Sequence, residues 1–125
     1  MRALLCHCRN YRSEVKKLST IPIGIKPEDI KEKILEAQDA IVTLVTVEIG
    51  DDIEISIPKL ANEVKKMSKD TGHSDIVIFP FGHLSNKLAD SDKTINAMDL
   101  LEENLKEFIP KRAHFGSDKK LLLDY

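Results

Sequence analysis

No stretch of this chain approaches the roughly 20 consecutive apolar residues that a membrane-spanning helix requires. Ala3-Leu4-Leu5-Cys6, behind Arg2, is too short for the apolar core of a secretory signal. The expectation is a soluble, unexported, cytoplasmic protein. An excess of one charge is lacking too: 19 basic residues stand against 21 acidic ones, a net charge of -2, so no global field marks a nucleic-acid binder and any such contact must come from a local patch. Cysteine is confined to Cys6 and Cys8, alternate positions of one apolar run, a spacing that suits a structural disulfide poorly and reads as two reduced core or pocket thiols. Gly-x-Ser-x-Gly, phosphate-loop and Gly-x-Gly-x-x-Gly patterns are absent, which removes support for nucleophile-elbow esterases, P-loop enzymes and dinucleotide binders. At 125 residues the chain is expected to form one domain with a real core.

What is present alternates between strand and helix patterns. Ala3 to Cys8 reads as a strand that ties the start of the chain into a sheet. Asn10 to Glu28, with Pro22, Gly24 and Pro27 among alternating Ile21, Ile23 and Ile25, reads as a short strand or an extended loop. From Pro27, the recurrence of Ile30, Ile34 and Ala37 predicts a short amphipathic helix to about Gln38. Ala40 to Val47 is β-branched and apolar on both faces, the pattern of a covered central strand. After a turn at Gly50-Asp51-Asp52, a helix from near Pro58 buries Leu60, Val64 and Met67 and ends at Thr71-Gly72. A strand over Asp75 to Phe79 follows. The helix from Asp92 to Phe108 carries Ile95, Met98, Leu101, Leu105 and Phe108 as its buried stripe, and Pro110 stops it. Arg112 to Phe115 and Lys119 to Tyr125 read as strands around Gly116. The fold class is α/β, a single sheet packed with two or three helices.

The run Ile76-Val77-Ile78-Phe79 empties directly into Pro80-Phe81-Gly82-His83-Leu84-Ser85, and strand ends of open α/β sheets are where ligands sit. His83 after a glycine is placed to hold a water or polarise a carbonyl; the plain alternative is a histidine bonded within its own loop. Gly82 lets a ligand approach the main chain closely, or is an ordinary turn glycine. His7 lies between the two cysteines but faces away from both in a strand, and no second Cys/His cluster completes a tetrahedral site, so no metal is expected. His73 reads as surface, and His114, before Phe115-Gly116, as a residue able to approach the pocket. Lys111, Arg112, Lys119 and Lys120, against Asp118, form a local basic cluster suited to phosphates or simply to solvent.

Taken together, Met1-Arg2-Ala3-Leu4-Leu5-Cys6-His7, Val45-Thr46-Val47-Glu48, Phe79-Pro80-Phe81-Gly82-His83-Leu84-Ser85, Leu88-Ala89, Ala97-Met98-Asp99 and Ala113-His114-Phe115-Gly116 resemble the N-terminal editing domain of archaeal threonyl-tRNA synthetases. The Pro-Phe-(Ala/Gly)-His-Leu-Ser element is the specific part, and the likeness spans residues 1–125 as a single editing domain. It implies a fold like that of D-aminoacyl-tRNA deacylases and the hydrolysis of serine mischarged on threonine tRNA. The attacking water would be assisted by the terminal ribose hydroxyl and a pocket lysine, with no cofactor and no metal. By position, Lys119 and His83 are the implied catalytic residues, with Lys120 the alternative lysine. Val47, Pro80, Phe81, Gly82, His7 and Phe115 are the implied substrate-binding residues. The implied partners are the mischarged 3′ end of threonine tRNA and a second copy of the chain, with synthetase catalytic and anticodon-binding domains following in a parent chain and no membrane.

Three departures stand out. His114, Ser117 and Asp118 replace the family's Pro and aromatics around Phe-Gly. His7-Cys8-Arg9-Asn10-Tyr11 replaces His-Ser-Asp-Tyr. The chain stops at Tyr125, short of a Gly-His-Pro element, which leaves a trimmed domain or a fragment of a longer synthetase as the expectation. The competing readings are a D-aminoacyl-tRNA deacylase and a non-catalytic tRNA-binding or dimerisation module.

Overall fold

The computed structural model describes residues 1–18 and 27–125. The sheet is built on a long antiparallel pair, β1 (Arg2–Leu18) and β2 (Ile34–Thr46), in unbroken register from Arg2↔Thr46 to Glu14↔Ile34. β3 (Asp75–Pro80) runs parallel to β2, β4 (Lys111–Arg112) parallel to β3, and β5 (Ser117–Asp124) antiparallel to the far half of β1. The order is β4-β3-β2-β1-β5, and two helices, α1 (Ile53–Thr71) and α2 (Ser91–Asn104), complete the α/β fold.

β2 is the covered central strand its composition predicts: every residue from Ala40 to Val47 is buried. Ile41, Val45 and Val47 join Ile57, Leu60, Val64, Ile76, Ile78, Met98, Leu101 and Leu105 in a core under the helices. On the other face Ala40, Val42 and Leu44 join Cys8, Tyr11, Leu35, Val77, Phe79 and Ala113 in a second core, edged by Cys6, Phe81, Leu121 and Leu123. Burial of each large aliphatic side chain in these layers contributes about 1.5–3 kcal/mol.

Beyond Asp39 the inward positions of β2 change parity, from Leu35 and Ala37 to Ala40, Val42 and Leu44. β1 makes the same change between Cys8 and Tyr11, and the register is held throughout. Asp39 absorbs the switch with φ 49, a left-handed conformation its short polar side chain tolerates.

The structure corrects several sequence expectations. The helix over 27–38 is absent, because Ile34 to Gln38 are the strand partners of Asn10 to Glu14. Those partners exist because β1 runs on to Leu18 instead of ending at Cys8; the expected alternation of Ile21, Ile23 and Ile25 lies outside the described residues. α1 starts at Ile53, five residues before Pro58, because the Asp52 side chain accepts the Glu54 N–H at 3.1 Å and caps the helix there. Pro58 is tolerated within it: the carbonyl deprived of a donor belongs to the exposed Glu54. The left-handed Gly72 (φ 74) ends α1 as expected, returning its N–H to Ser68 at 3.0 Å. α2 stops at Asn104, the chain continues as a single 3-10 turn over Lys106–Phe108, and Ile95 is only half-buried while Ala97 takes a fully buried place.

Candidate active site

The floor of the site is the second core's aromatic row. Tyr11 meets Phe79 edge-on at 6.5 Å, Phe79 meets Phe81 at 6.1 Å, and Phe81 meets the His83 ring at 4.9 Å. Tyr11 donates to Ser13 Oγ at 2.6 Å within the core, and burial pushes its phenol up to about 12. Pro80, buried at the end of β3, directs the chain outward. Phe81 is then pinned at both backbone groups: its N–H donates to the Val45 carbonyl at 2.8 Å and its carbonyl accepts from Thr46 Oγ1. Gly82 and His83 follow, exposed to solvent.

Onto this row β5 lowers one lysine. Tyr11↔Leu123, Ser13↔Leu121 and Val15↔Lys119 are register partners, so Lys119, Leu121 and Leu123 turn inward while Lys120 turns out. Lys119 Nζ stands 5.2 Å over the Phe79 ring and donates to the Ser117 carbonyl at 3.3 Å. Burial lowers its pKa to about 8, with Glu28 and Asp118 acting in the opposite direction. Strand parity thus turns Lys119 towards the aromatic row and Lys120 away from it.

Lys119, His83, Pro80, Phe81 and Gly82 are thus brought to one region, linked through the rings of Phe79 and Phe81. Val47 lies behind it, its side chain in the helix-side core and its carbonyl accepting the Ala89 N–H at 2.9 Å. His7 is on the opposite face from Cys6 and Cys8 and does not join the site; its Nε2 lies 2.7 Å from Nδ1 of His73, which is half-buried where free surface was expected. Phe115 is clamped through its backbone by Glu28, whose carboxylate accepts its N–H at 2.7 Å. His114 is buried and spent on structure, 2.6 Å from the Glu28 carbonyl and 2.8 Å from Ser117 Oγ.

The basic cluster expected over 111–120 does not converge, since β4 and β5 lie at opposite ends of the sheet order. Lys111 donates to the Glu36 carbonyl at 2.6 Å, and Arg112 is engaged by Glu28, Asp99 and Glu102. A concavity of about 390 Å³ lies beside this arginine, between Glu28–Glu32 and Ile109–Arg112, and includes none of the aromatic row.

Chemically the site offers a cation beside an apolar floor and main-chain groups at a strand end. Burial raises the pKa of both cysteines, so they are poor nucleophiles at neutral pH. Among the described residues no three His, Cys, Asp or Glu side chains are grouped to hold a metal. Gly82 carries a further signal: a Cβ built there meets only Leu88 Cδ1 at 3.8 Å, so neither fold nor conformation demands a glycine. Gly116 is the contrary case, with φ 92 and a Cβ position 2.5 Å from the Pro27 backbone. Sequence reasoning missed Tyr11, Glu28 and Arg112 as supports, although Tyr11 closes the His7-Cys8-Arg9-Asn10-Tyr11 segment singled out above, which the structure places within β1.

A family model for the archaea-specific editing domain of threonyl-tRNA synthetase matches residues 1–124. The chain belongs to this family. It is similar to a threonine-tRNA ligase editing subunit of Saccharolobus solfataricus, with 32% identity over 117 residues, 93% of this chain and 29% of that protein. A threonine-tRNA ligase of Thermococcus onnurineus is 32% identical over 126 residues, 98% of this chain and 20% of that protein. This editing-domain chain therefore spans between a fifth and a third of the length of these relatives. No helix among its described residues is long and apolar enough to cross a membrane.

Proposed function

We propose that residues 1–125 act as one editing domain that hydrolyses the ester of L-serine mischarged on threonine tRNA. Membership of the editing family supports a proofreading role. The observation that carries the finer reading is Lys119 Nζ over Phe79, on the same aromatic row that leads to His83. In this reading the 3′ adenosine and seryl group lie against Pro80, Phe81, Gly82 and Phe115, with main chain near Val47 contributing. Lys119 and the terminal ribose hydroxyl hold the water that attacks the carbonyl carbon, the bond to the ribose oxygen breaks, that oxygen takes up the proton the water gives up, and serine leaves as the free amino acid. A cation at the developing oxyanion favours the transition state over the ground state. His83 orients the substrate. Neither a protein nucleophile nor a metal takes part.

A second sieve is needed because serine and threonine differ by one methyl group, worth only about 1–3 kcal/mol in a synthetic pocket. The domain works in the cytoplasm as a homodimer, alone or beside synthetase catalytic and anticodon-binding domains.

The test is single-turnover deacylation of L-seryl-tRNA and L-threonyl-tRNA for threonine, with a chelator throughout. Rapid loss of serine with threonine spared, a large defect in Lys119→Ala and a smaller one in His83→Ala are expected. Loss of D-aminoacyl esters alone would favour the deacylase reading, tRNA binding without hydrolysis a binding module, and wild-type rates in both variants would discard the site assignment.

A further inference from the structure

Phe81 and His83 belong to an arm whose far end is held by side chains instead of by the sheet. Phe81 is bonded to β2 through Val45 and Thr46, and the chain next meets that strand's extension where the Lys87 carbonyl accepts the Ile49 N–H at 2.9 Å, Leu88 bridges Glu48 and the Ala89 N–H donates to the Val47 carbonyl. Between these points Gly82 and His83 are exposed, with the Phe81 ring against that of His83. What ties down the next two residues is a small polar cluster centred on Glu48. Glu48 Oε2 accepts from Ser85 Oγ at 2.7 Å and lies 3.6 Å from Arg2 Nε, and Arg2 Nη1 donates to the Leu84 carbonyl at 3.3 Å. Glu48 Oε1 accepts from the Met1 amine at 3.0 Å. Ser85 Oγ in turn accepts the Lys87 N–H at 3.0 Å, so the hydroxyl is committed in both directions.

Glu48 is itself anchored through its main chain. Its N–H donates to Asp51 Oδ2 at 2.7 Å, and its carbonyl accepts the Asp51 N–H at 3.2 Å, a closed turn that fixes the start of its side chain. We propose that Glu48, acting through Ser85 and Arg2, is the positioning residue that sets the Gly82–Ser85 arm and so the placement of His83 for ester hydrolysis. This rests on the functional reading above. The carboxylate needs no proton to do so: the Ser85 hydroxyl first, then the Met1 amine, hold it below the usual carboxylate range, so the tether is intact at neutral pH.

The experiment compares Glu48→Ala, Ser85→Ala, the double variant and Glu48→Gln by single-turnover hydrolysis of L-seryl-tRNA, with hydrogen exchange at the Lys87 amide read in parallel. Each single alanine variant should slow the saturated rate about tenfold, the scale on which small misplacements act, while the half-saturating concentration changes less than about twofold. The double variant should be no slower than Glu48→Ala alone, because the bond from Ser85 is already lost there. Glu48→Gln keeps an acceptor for Ser85 and should recover most of the rate. Lys87 should lose protection in both alanine variants. A wild-type rate in Glu48→Ala, defects that multiply in the double variant, or unchanged Lys87 protection would each overturn the assignment. If the unmodified chain hydrolyses nothing, the functional reading fails, and the exchange at Lys87 alone decides whether Glu48 holds the arm.

Discussion

Replacing Lys119 by methionine should make the protein more stable and inactive at once. The structure places the ammonium over the Phe79 ring, with the Ser117 carbonyl as its hydrogen-bond acceptor. Burial lowers its pKa from 10.5 to about 8. At about 1.4 kcal/mol for each step of one in pKa, that gap bounds the cost of keeping the charge at about 3 kcal/mol. Lys119 is half-buried rather than sealed, and solvent screening reduces the recoverable part to about 1–2 kcal/mol. Methionine fills the same length and keeps a favourable sulfur contact with the ring.

The pH dependence follows from the direction of the shift. Below pH 8 the lysine is protonated folded and unfolded, and the penalty is present in full. Between about 8 and 10.5 the unfolded chain binds more protons, so wild-type stability rises relative to the variant and the difference shrinks. Urea unfolding at pH 7 should show Lys119→Met more stable by about 1–2 kcal/mol, on the order of 5 °C in Tm, with less than half of that gain left at pH 10. Seryl-tRNA hydrolysis by the variant should fall towards the spontaneous rate. A variant no more stable at pH 7, or equally favoured at both pH values, would refute the idea that the site holds a desolvated cation.

The two glycines at the site should respond in opposite ways. Gly82→Ala should leave stability within about 0.5 kcal/mol of wild type, since its Cβ meets nothing closer than Leu88 Cδ1 at 3.8 Å, yet slow deacylation about tenfold by crowding the substrate; thermal melts and single-turnover assays on one preparation check both. Gly116→Ala should destabilise by about 2–4 kcal/mol, because the left-handed φ of 92 and the Pro27 backbone at 2.5 Å both oppose a side chain; a denaturation midpoint equal to wild type would contradict this.

Local chemistry was enough to read several parts of this molecule. Ala40 to Val47 declares a strand covered on both faces, Thr71-Gly72 a helix end, and Ile76 to Phe79 a buried strand running into Pro80, because each of these depends on side-chain period and on the conformational rules of proline and glycine alone. Ile30, Ile34 and Ala37 misled because their spacing fits a helix face equally well, and only the presence of Asn10 to Glu14 alongside makes the strand the better use of those backbone groups. The site's cation was ambiguous for the same reason. Lys119 and Lys120 are chemically alike in the chain, and the register of β5 on β1, shifted between Val15 and Lys17, decides which faces Phe79. Glu48, Glu28 and Arg112 were harder still, since their partners lie 37, 87 and 84 positions away, in Ser85, Phe115 and Glu28 respectively. Periodicity and turn chemistry act over a few residues and are written in the sequence; pairing register and long-range ion pairs exist only once the chain has folded, and they determine which lysine faces the aromatic row and what ties the segments around it together.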